Sequence, residues 1–588
     1  MEARWQRIGG FRALVNPRFD SPALRAALAD IESIASGDGA ILLQAGRHKT
    51  VRMPLETGLA DGRLDAVAKF FGSQSPVKDL WDRLHSTKAR RTYEAALFMS
   101  GAGIGTTPPV ACLERWRGAR LDAGIFVSAY VDDALCFKDR LVALWQEHAP
   151  YSAFLETMEI AARGIKALHD AGCVHGDLGN QNVFFTRRAP DLPYCDALFL
   201  DLNRARFCDA PADENARARD LARICLPEKF LETFLRLYWG GEPPQSFLRA
   251  CVLWRKLFRF HSATRKFRHP FRELRYVLHP ETAPAQAPYP PANRQWVWDS
   301  DAMRPAPVAG KRQMLFFLDP GWRRRILWGS VGLAKFLAGK AAASRNATSS
   351  ASTGAVACAD TQAPSCKMRL IVRETDSGTA TKLMAASGLG RALVRFAMAD
   401  GEETNARRLA VANALAAGGH GVAIQVLQRP EFLGGESAEA FAARVLDGCG
   451  FAPDWLCVGQ GVNTLVWGIR TVTECKRLAA AGNRAVASCA TKVAVPLVAS
   501  AIESPVLQTG CSNIPPHLAG NPECDAIALA WREGDGELEK EIETLRALAE
   551  ETAQMRRGIV VIADTPFDRR KIAALPGGVR EICAVRFE

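Results

Sequence analysis

The chain has 588 residues, of which 48% are hydrophobic and 23% are charged, and its formal net charge is +12. This length exceeds what one hydrophobic core supports, and the composition excludes a largely disordered chain, so two or more folded domains are expected. The 16 cysteines are scattered without the spacing of a metal site. No window holds the ~18 uncharged apolar residues of a membrane span or a signal-peptide pattern, so a cytoplasmic location is expected.

The first half begins with strand-like patterns and continues with helical ones. Apolar runs such as AILLQAG (40–46) and LDAVAKFF (64–71) predict strands, and STKARRTYEAALFMSGAG (86–103) predicts a helix. Mostly helical patterns follow. A small β-rich lobe before a larger helical lobe is the α+β layout of a two-lobed, protein-kinase-like domain, which we expect over residues 1–300.

The most specific motif is VHGDLGNQNVFF (174–185), which is followed by LFLDLNRARF (198–207). In kinase-like enzymes an H-x-D-x-x-x-x-N loop supplies an aspartate that accepts the proton of the attacking hydroxyl and an asparagine that binds Mg²⁺. Asp177 and Asn182 have this spacing, and Asp201 ends a strand-like run where a second magnesium ligand is expected. The set predicts phosphoryl transfer from ATP, which depends mainly on positioning and charge neutralisation.

Residues upstream match the nucleotide-binding half of such a site. Lys69 lies in a strand-like run, as does the lysine that contacts the nucleotide phosphates in kinases, and Glu94 lies on a helix from which an ion pair can orient it. A glycine-rich loop is represented only by Gly46, with Lys49 nearby. Backbone amides and basic side chains are therefore expected to hold the phosphates. Lys69 or Glu94 taken alone also fits a purely structural role.

These residues resemble those of the lipopolysaccharide core kinases, which phosphorylate heptose or Kdo sugars. The resemblance covers residues 10–280 and rests on HGDLGNQN, LDLNRAR, STKARRTYEAALFMSGAGIGTTPPVACLE and RARDLARI. It implies a bacterial enzyme, peripheral at the inner membrane, that uses ATP and Mg²⁺ on a lipid-linked or core saccharide. It also implies that Asp220 braces the catalytic loop. Asn203 departs from the glycine that many kinases have at this position, so a mobile activation segment is not implied.

Most of the positive charge lies in one segment. Residues 251–350 contain 18 Lys and Arg against 5 Asp and Glu, a net charge of +13. Aromatic residues are interleaved with these cations at 254–276 and 322–340. The pattern predicts contact with a polyanion, whether nucleic acid, an acidic membrane leaflet or a phosphorylated glycolipid, and a solvated helix face is the structural alternative. The resemblance to the lipopolysaccharide core kinases implies the anionic membrane surface rather than nucleic acid. Residues 301–366 are expected to form a basic, partly amphipathic segment and a flexible linker rich in Ala, Ser and Thr.

The last part of the chain, residues 367–588, has a different pattern. Eight apolar runs alternate mostly with helical segments, which predicts an α/β fold with a parallel sheet buried on both faces and closed into a TIM-type (β/α)8 barrel. The eight runs are LIVRE, ALVRFAM, VAIQVLQ, DWLCVGQG, KVAVPLVAS, AIALAWRE, GIVVIADTP and ICAVRF.

One segment of this barrel, LCVGQGVNTLVWGIR (456–470), resembles the fourth strand of retaining glycoside hydrolases. Those enzymes need two carboxylates about 5 Å apart, one as acid/base and one as nucleophile. Asn463 matches the family pattern, and Arg395 matches an arginine of its second strand. The acid/base glutamate is replaced by Gly461, while Asp564 lies where the nucleophile is expected. We therefore expect a carbohydrate-binding barrel that does not hydrolyse glycosides.

Together these patterns predict an ATP-dependent kinase that phosphorylates a sugar hydroxyl of a lipid-linked saccharide and is fused to an inactive barrel. Two alternatives remain open. One is a protein or small-molecule kinase with an unrelated barrel, and the other is a pseudokinase scaffold whose basic region binds anionic lipid or nucleic acid. The sequence indicates neither the oligomeric state nor the identity of the acceptor.

Overall fold

The chain folds into two compact units, Met1–Ala292 and Asn293–Glu588. A division of this kind is expected for a chain too long for one core. The computed structural model describes residues 4–45, 48–58, 62–71, 76–268, 270–279, 296–310, 338, 366–429, 437–461, 467, 472–488, 497–503, 524–531, 558–564, 566–575 and 579–588.

The N-terminal unit begins with a seven-stranded antiparallel sheet. Its strands are β1 (Trp5–Ile8), β2 (Phe11–Val15), β3 (Ile41–Gln44), β4 (His48–Glu56), β5 (Arg63–Phe71), β6 (Pro109–Arg117) and β7 (Arg120–Ala129). They pair in the order β1-β2-β6-β7-β5-β4-β3. Val51, Met53 and Leu55 of β4 are buried while their neighbours are less so, which is the period of a strand with one face on a core. Leu24 and Leu28 belong to that core.

Four helices accompany this sheet. They are α1 (Pro22–Ala29), α2 (Ile31–Ile34), α3 (Pro76–Leu84) and α4 (Lys88–Gly101). Helix α4 begins after Thr87, whose hydroxyl accepts a hydrogen bond from the backbone N–H of Arg90 and so satisfies one free donor of the first turn. The helix packs against β6 and β7. The predicted helix at 86–103 is therefore present.

The rest of the N-terminal unit is mostly helical. Its helices are α5 (Phe137–Gln146), α6 (Tyr151–Asp170), α7 (Glu214–Leu221), α8 (Glu228–Trp239), α9 (Gln245–Ala263), α10 (Arg265–Arg268) and α11 (Pro270–Leu278). Its strands are β8 (Leu135–Cys136), β9 (Cys173–Val174), β10 (Val183–Thr186), β11 (Asp196–Phe199) and β12 (Arg206–Phe207). Phe154, Met158, Ala161, Ile165 and Leu168 of α6 are buried at the spacing of one helix face. The expected order of a β-rich part followed by a helical part is confirmed.

The C-terminal unit contains a closed barrel of eight parallel strands. The strands are β15 (Lys367–Val372), β16 (Arg391–Ala397), β17 (Gly421–Leu427), β18 (Leu456–Val458), β19 (Leu497–Glu503), β20 (Ala526–Trp531), β21 (Gly558–Ala563) and β22 (Val579–Ala584). Strand β15 pairs with β22 and so closes the sheet. Each of the eight predicted runs overlaps one of these strands, and the predicted parallel barrel is confirmed.

Helices follow the first four barrel strands. They are α12 (Ser377–Ser387), α13 (Glu402–Ala417), α14 (Ala438–Asp447) and α15 (Val472–Ser488). Val394 and Phe396 pack in one cluster with the helix residue Val411, whereas Leu393 and Ile562 belong to a second cluster built almost entirely from strand residues. Both faces of the barrel sheet are therefore buried, which explains why its strands are continuously apolar.

A hairpin that the sequence did not predict packs on the barrel. It consists of β13 (Trp296–Asp299) and β14 (Arg304–Pro307). Trp298 and Met303 form a cluster with Trp467 and with Ala397 and Leu427, the last residues of β16 and β17. Trp298 Nε1 also donates a hydrogen bond to Asp400 Oδ1 at 2.5 Å. The hairpin thus covers part of the carboxyl-terminal end of the barrel.

The domain boundary expected at residue 300 falls inside this hairpin, so the compact unit that contains the barrel starts earlier than predicted. A four-residue strand carries little periodic signal, and the burial of Trp298 exists only because the barrel lies beneath it. The linker and most of the basic segment predicted at 301–366 lie outside the described residues.

Candidate active site

Two short antiparallel strands determine where the motif residues lie. Strand β10 pairs with β11, so Asn182, just before β10, and Asp201, two residues after β11, lie at the same end of the pair. The backbone N–H of Leu200 donates to the backbone oxygen of Asn182 at 3.0 Å. Asn182 Nδ2 in turn donates to the backbone oxygen of Asp177 at 2.8 Å. Asp177, Asn182 and Asp201 consequently line one cleft.

Asp220, in the last turn of α7, holds the loop that carries Asp177. Its two carboxylate oxygens accept hydrogen bonds from the backbone N–H groups of His175 at 2.7 Å and Gly176 at 2.9 Å. Burial acts to raise the pKa of Asp220, but the hydrogen bonds and charges of His169 and His175 outweigh it, and the pKa lies below its usual value. These two hydrogen bonds agree with the predicted bracing role of Asp220.

Asp201 combines an uncommon backbone conformation with strong hydrogen bonds. Its φ of 61° and ψ of 51° lie in the left-handed region, which costs a residue other than glycine roughly 1–3 kcal/mol. Asp201 Oδ1 accepts hydrogen bonds from Lys69 Nζ at 2.7 Å and Asn203 Nδ2 at 2.5 Å. Burial acts to raise the pKa of Asp201, but the charge and hydrogen bond of Lys69 and the hydrogen bond of the Asn203 amide outweigh it. The pKa of Asp201 therefore lies below its usual value. The side chain is therefore an ionised carboxylate within the cleft.

Lys69 projects from the middle of the antiparallel sheet into the same cleft. In the sheet it lies opposite Thr50 of β4 and Phe126 of β7, and all three side chains line the cleft. Central strands of a sheet hold such a side chain more precisely than a loop does. The predicted place of Lys69 beside the nucleotide site agrees with this geometry.

The structure does not bring Glu94, the predicted partner of Lys69, to that lysine. Glu94 Oε1 instead lies 2.7 Å from Arg90 Nε, one turn earlier on α4. Residues four apart on a helix are neighbours, so this pair forms locally without help from the sheet. The partner of Lys69 is Asp201, and the predicted ion-pairing role of Glu94 is corrected accordingly.

The predicted phosphate-holding residues before β5 are only partly placed. Gly46 lies outside the described residues. Lys49 Nζ lies 3.5 Å from the backbone oxygen of Ala35. Because Lys49 precedes Thr50 in β4 and successive side chains point to opposite faces, Lys49 is directed away from the cleft that Thr50 lines. The predicted contact of Lys49 with nucleotide is corrected by this alternation.

The cleft is lined by both apolar and charged side chains. Its volume is 850 Å³, within the range of about 300–1,000 Å³ for small-molecule sites. Val67, Phe126 and Leu198 supply apolar wall, and the charged and amide groups of Lys69, Asp177, Asn182 and Asp201 also line it. A lining of both kinds suits a ligand that has a flat ring system and anionic groups.

Two arginines that the sequence did not single out flank Asp177. Arg223 Nη1 donates to Asp177 Oδ1 at 2.5 Å, and Arg204 Nη1 lies 3.5 Å from Oδ2. Both arginines stand in motifs already recognised, LDLNRAR and RARDLARI. The sequence does not indicate which carboxylate these arginines contact, because Asp177 and Arg223, for example, are 46 residues apart. The contact depends on how α7 packs beside the catalytic loop.

In the barrel, the structure brings Arg395 and Asp564 together. Arg395 is 1% exposed, contacts the carboxylate of Asp564, and donates from Nε to Gln425 Oε1 at 2.9 Å. Arg373 Nη2 donates to the backbone oxygen of Asp564 at 3.1 Å. Asp564 therefore lies between two guanidinium groups. Asn463 lies outside the described residues.

Gly461 is held in a conformation and a space that exclude a side chain. Its φ is +53°, and a Cβ built there would lie 2.4 Å from Trp467 Cδ1. Trp467 is 2% exposed and packed under the hairpin residue Trp298. A carboxylate at position 461 would need both the backbone and Trp467 to move, so the barrel is built around the glycine.

Comparisons with known proteins include partial likenesses to two solved structures. No protein-family model and no curated protein matches the sequence. A solved structure of WaaP in complex with acyl carrier protein matches 42% of this chain and 96% of that chain, at 21% identity and a TM-score of 0.31. A structure of fungal β-1,4-galactanases matches 37% of this chain and 89% of that chain, at 10% identity and a TM-score of 0.29.

Proposed function

We propose that the N-terminal unit is an ATP-dependent phosphotransferase with a protein-kinase-like fold. The observation that carries the proposal is the convergence of Lys69, Asp177, Asn182 and Asp201 in one cleft, although they come from three separate stretches of the chain. Phosphoryl transfer needs a cation beside the phosphates, oxygen ligands for Mg²⁺ and a carboxylate beside the acceptor hydroxyl. The four residues supply these groups, and the apolar side chains that also line the cleft suit the adenine ring.

The transfer uses Asp177 as the proton acceptor. The acceptor hydroxyl oxygen forms a bond to the γ-phosphorus of ATP, and the bond from that phosphorus to the β–γ bridging oxygen breaks. ADP leaves, and the hydroxyl proton passes to the carboxylate of Asp177. Arg223 orients this carboxylate through its hydrogen bond of 2.5 Å. Lys69 offsets the negative charge of the phosphates.

Mg²⁺ bound with ATP neutralises charge on the β- and γ-phosphates. Asp201 fits as a ligand because its pKa is lowered and its carboxylate is ionised. Asn182 fits because its amide nitrogen is used on the backbone of Asp177, which leaves the amide oxygen for a cation. The described residues contain no group of three or more His, Cys, Asp or Glu able to hold a metal. A site with one carboxylate, one amide and phosphate oxygens agrees with the usual coordination of Mg²⁺.

We place the acceptor among lipid-linked saccharides of bacteria and the protein at an anionic, inner-membrane surface. The support is a surface of α9–α11 that we call the apolar-basic surface, and the five large apolar side chains by which we define it are 54% to 86% exposed. These are Phe260, Phe267, Phe271, Leu274 and Leu278. Residues 245–278 also carry nine Lys and Arg against one acidic residue. Apolar side chains among cations suit the interface of an anionic leaflet.

The helices that the structure describes include none with the length and apolarity required to cross a bilayer.

For the C-terminal unit we propose a carbohydrate-binding role without hydrolysis. Retaining hydrolysis needs a proton donor opposite the nucleophile, and Gly461 has no space for a side chain. Asp564 is held between Arg395 and Arg373 and can accept hydrogen bonds from sugar hydroxyls.

The proposal is tested with the full chain, γ-labelled ATP and a panel of acceptors. The panel contains rough-type lipopolysaccharide, its deacylated core oligosaccharide and a general protein substrate such as casein. We expect Mg²⁺-dependent label transfer to the glycolipid or the oligosaccharide, and loss of transfer when EDTA removes the metal. Transfer to casein alone would overturn the saccharide acceptor but keep the phosphotransferase. No binding of Mg-ATP and no transfer to any acceptor would overturn both.

A further inference from the structure

We propose that a pocket beside Asp177 binds an oxyanion, a phosphate or a carboxylate, carried by the acceptor saccharide; this rests on the proposed function. The pocket, which we call the arginine pocket, has a volume of 610 Å³ and lies in the N-terminal unit. Five arginines line it, namely Arg91, Arg204, Arg206, Arg219 and Arg223. This concentration of guanidinium groups is unexplained by nucleotide binding, because the cleft lined by Lys69 has none of them on its wall.

The arginine pocket is continuous with the catalytic centre. A smaller pocket of 260 Å³ is lined by Asp177 and Asp201, and it shares Arg91, Asn203 and Arg204 with the arginine pocket. An acceptor whose hydroxyl lies at Asp177 therefore places its neighbouring groups toward the arginines. The nucleotide cleft extends from Asp177 and Asp201 as well, so donor and acceptor have separate spaces that meet at the proton-accepting carboxylate.

The positive charge of the arginine pocket is only partly offset by carboxylates: Asp177 contacts Arg204 and Arg223, and Asp82 contacts Arg91. Two carboxylates also line it, Asp213 and Asp220. Asp220 is 2% exposed and accepts two backbone N–H groups of the catalytic loop, and Asp213 caps α7 by accepting from the backbone N–H of Ala216 at 2.8 Å. Within the described part of the chain, neither Arg206 nor Arg219 forms an ion pair with a carboxylate. Both are exposed and available to an anion from solution.

Helix α9 holds two of these arginines in place. The guanidinium of Arg219 lies 5.2 Å from the ring centroid of Trp254, and that of Arg223 lies 5.3 Å from Phe258. Stacking of this kind restricts the planar fork, which suits two-point hydrogen bonding to phosphate or carboxylate oxygens. Because α9 also contributes to the apolar-basic surface, a lipid-linked acceptor bound there can reach the arginine pocket.

The experiment measures binding of small sugars to the full chain saturated with Mg²⁺ and a non-hydrolysable ATP analogue, so that the nucleotide cleft is filled. Glucose 6-phosphate, glucuronate, glucose and inorganic phosphate are titrated by calorimetry into wild type and into the double variant Arg206→Gln/Arg219→Gln. The matched control is Arg236→Gln, an exposed arginine of the same unit that pairs with Glu242 outside the pocket. Binding of the ATP analogue is measured first for every variant.

We expect at least one anionic sugar to bind wild type at least tenfold more tightly than glucose, and at least tenfold more tightly than it binds the double variant. Arg236→Gln should bind it as wild type does. Preference for glucose 6-phosphate or glucuronate identifies the oxyanion. Binding of inorganic phosphate alone, anionic sugars no tighter than glucose, or equal affinity in the double variant overturns the proposal. Failure of the ATP analogue to bind the wild type instead overturns the proposed function.

Discussion

Lys69 Nζ lies 2.7 Å from Asp201 Oδ1, and this ion pair joins β5 of the antiparallel sheet to the segment after β11 across 132 residues of sequence. The two side chains are 20% and 34% exposed, so the pair borders the cleft rather than being sealed in a core. The positive charge of the lysine is complementary to a phosphate, and the negative charge of the carboxylate is complementary to the Mg²⁺ bound with it. We infer that nucleotide binding exchanges the pair for contacts of each partner with Mg-ATP.

Replacement of Lys69 is therefore expected to impair nucleotide use far more than folding. In Lys69→Met, kcat/KM for ATP should fall about 100-fold or more, because a positive charge beside the transferred phosphate is lost. The free energy of unfolding should change by about 1 kcal/mol or less, since a partly exposed pair contributes little. Steady-state kinetics and urea unfolding measure the two quantities. Lys49→Met is the control and should behave as wild type, and equal kinetic losses in both variants would refute the assignment.

Replacement of Asp220 is expected to destabilise the catalytic loop. Asp220→Asn turns one of the two acceptors of the His175 and Gly176 N–H groups into a donor, which should cost about 2–4 kcal/mol of unfolding free energy. Turnover should fall as well, because the loop positions Asp177. The exposed Asp209→Asn serves as the control. Unfolding midpoints that coincide for the two variants would show that Asp220 does not brace the loop.

The same carboxylate contributes to the pH dependence of stability. The pKa of Asp220 is lowered from 3.8 in the folded state, so the folded protein binds the proton less readily than the unfolded chain. The contribution of Asp220 to the free energy of unfolding is fully present above its pKa in the unfolded chain. This contribution is lost as the pH falls through its pKa in the folded state. Wild type should therefore lose more stability than Asp220→Asn on acidification below about pH 4. Parallel acid-unfolding curves would contradict this.

Substitution of two glycines of the barrel unit distinguishes the cost of a steric clash from the cost of a left-handed backbone conformation. Gly461 and Gly388 have φ values of +53° and +66°, but a Cβ at Gly388 meets no atom within 4 Å, while one at Gly461 lies 2.4 Å from Trp467. Gly388→Ala should cost about 1 kcal/mol, and Gly461→Ala should cost at least about 2 kcal/mol more. Chemical unfolding of the full chain measures both. Similar costs would mean that Trp467 yields easily and that the site can accept a side chain.

The apolar-basic surface predicts salt-sensitive membrane binding. Wild type should bind vesicles of anionic phospholipid more tightly than neutral vesicles, and binding should weaken as salt rises because exposed charges are screened within ~8–10 Å at physiological ionic strength. The variant Phe267→Ser/Phe271→Ser, altered at two side chains that are each 86% exposed, should bind at least about tenfold more weakly. Leu192→Ser, at a residue 46% exposed outside this surface, should have no effect. Equal binding of wild type to neutral and anionic vesicles would contradict the prediction.

Local patterns were the part of this structure that the sequence predicted well. Asp177, Asn182 and Asp201 lie close in sequence and are positioned by two adjacent strands, and the barrel strands have continuous apolar runs because both faces are buried. The pairing of Lys69 with Asp201 was not predictable from the sequence, because the two residues lie 132 positions apart and Glu94 was the expected partner. The contact of Arg223 with Asp177 was missed because these residues, too, are far apart in the sequence. The hairpin at 296–307 was missed because its burial arises only from contact with the barrel.

The most direct test of the phosphotransferase assignment compares Asp177→Asn with Asp201→Asn in the full chain, with Mg-ATP and rough-type lipopolysaccharide as the acceptor. Asp177→Asn should lower the rate of label transfer by about several hundredfold while Mg-ATP affinity stays close to wild type, because only the proton acceptor is lost. Asp201→Asn should weaken Mg-ATP binding itself. Transfer at the wild-type rate by Asp177→Asn would contradict the central claim.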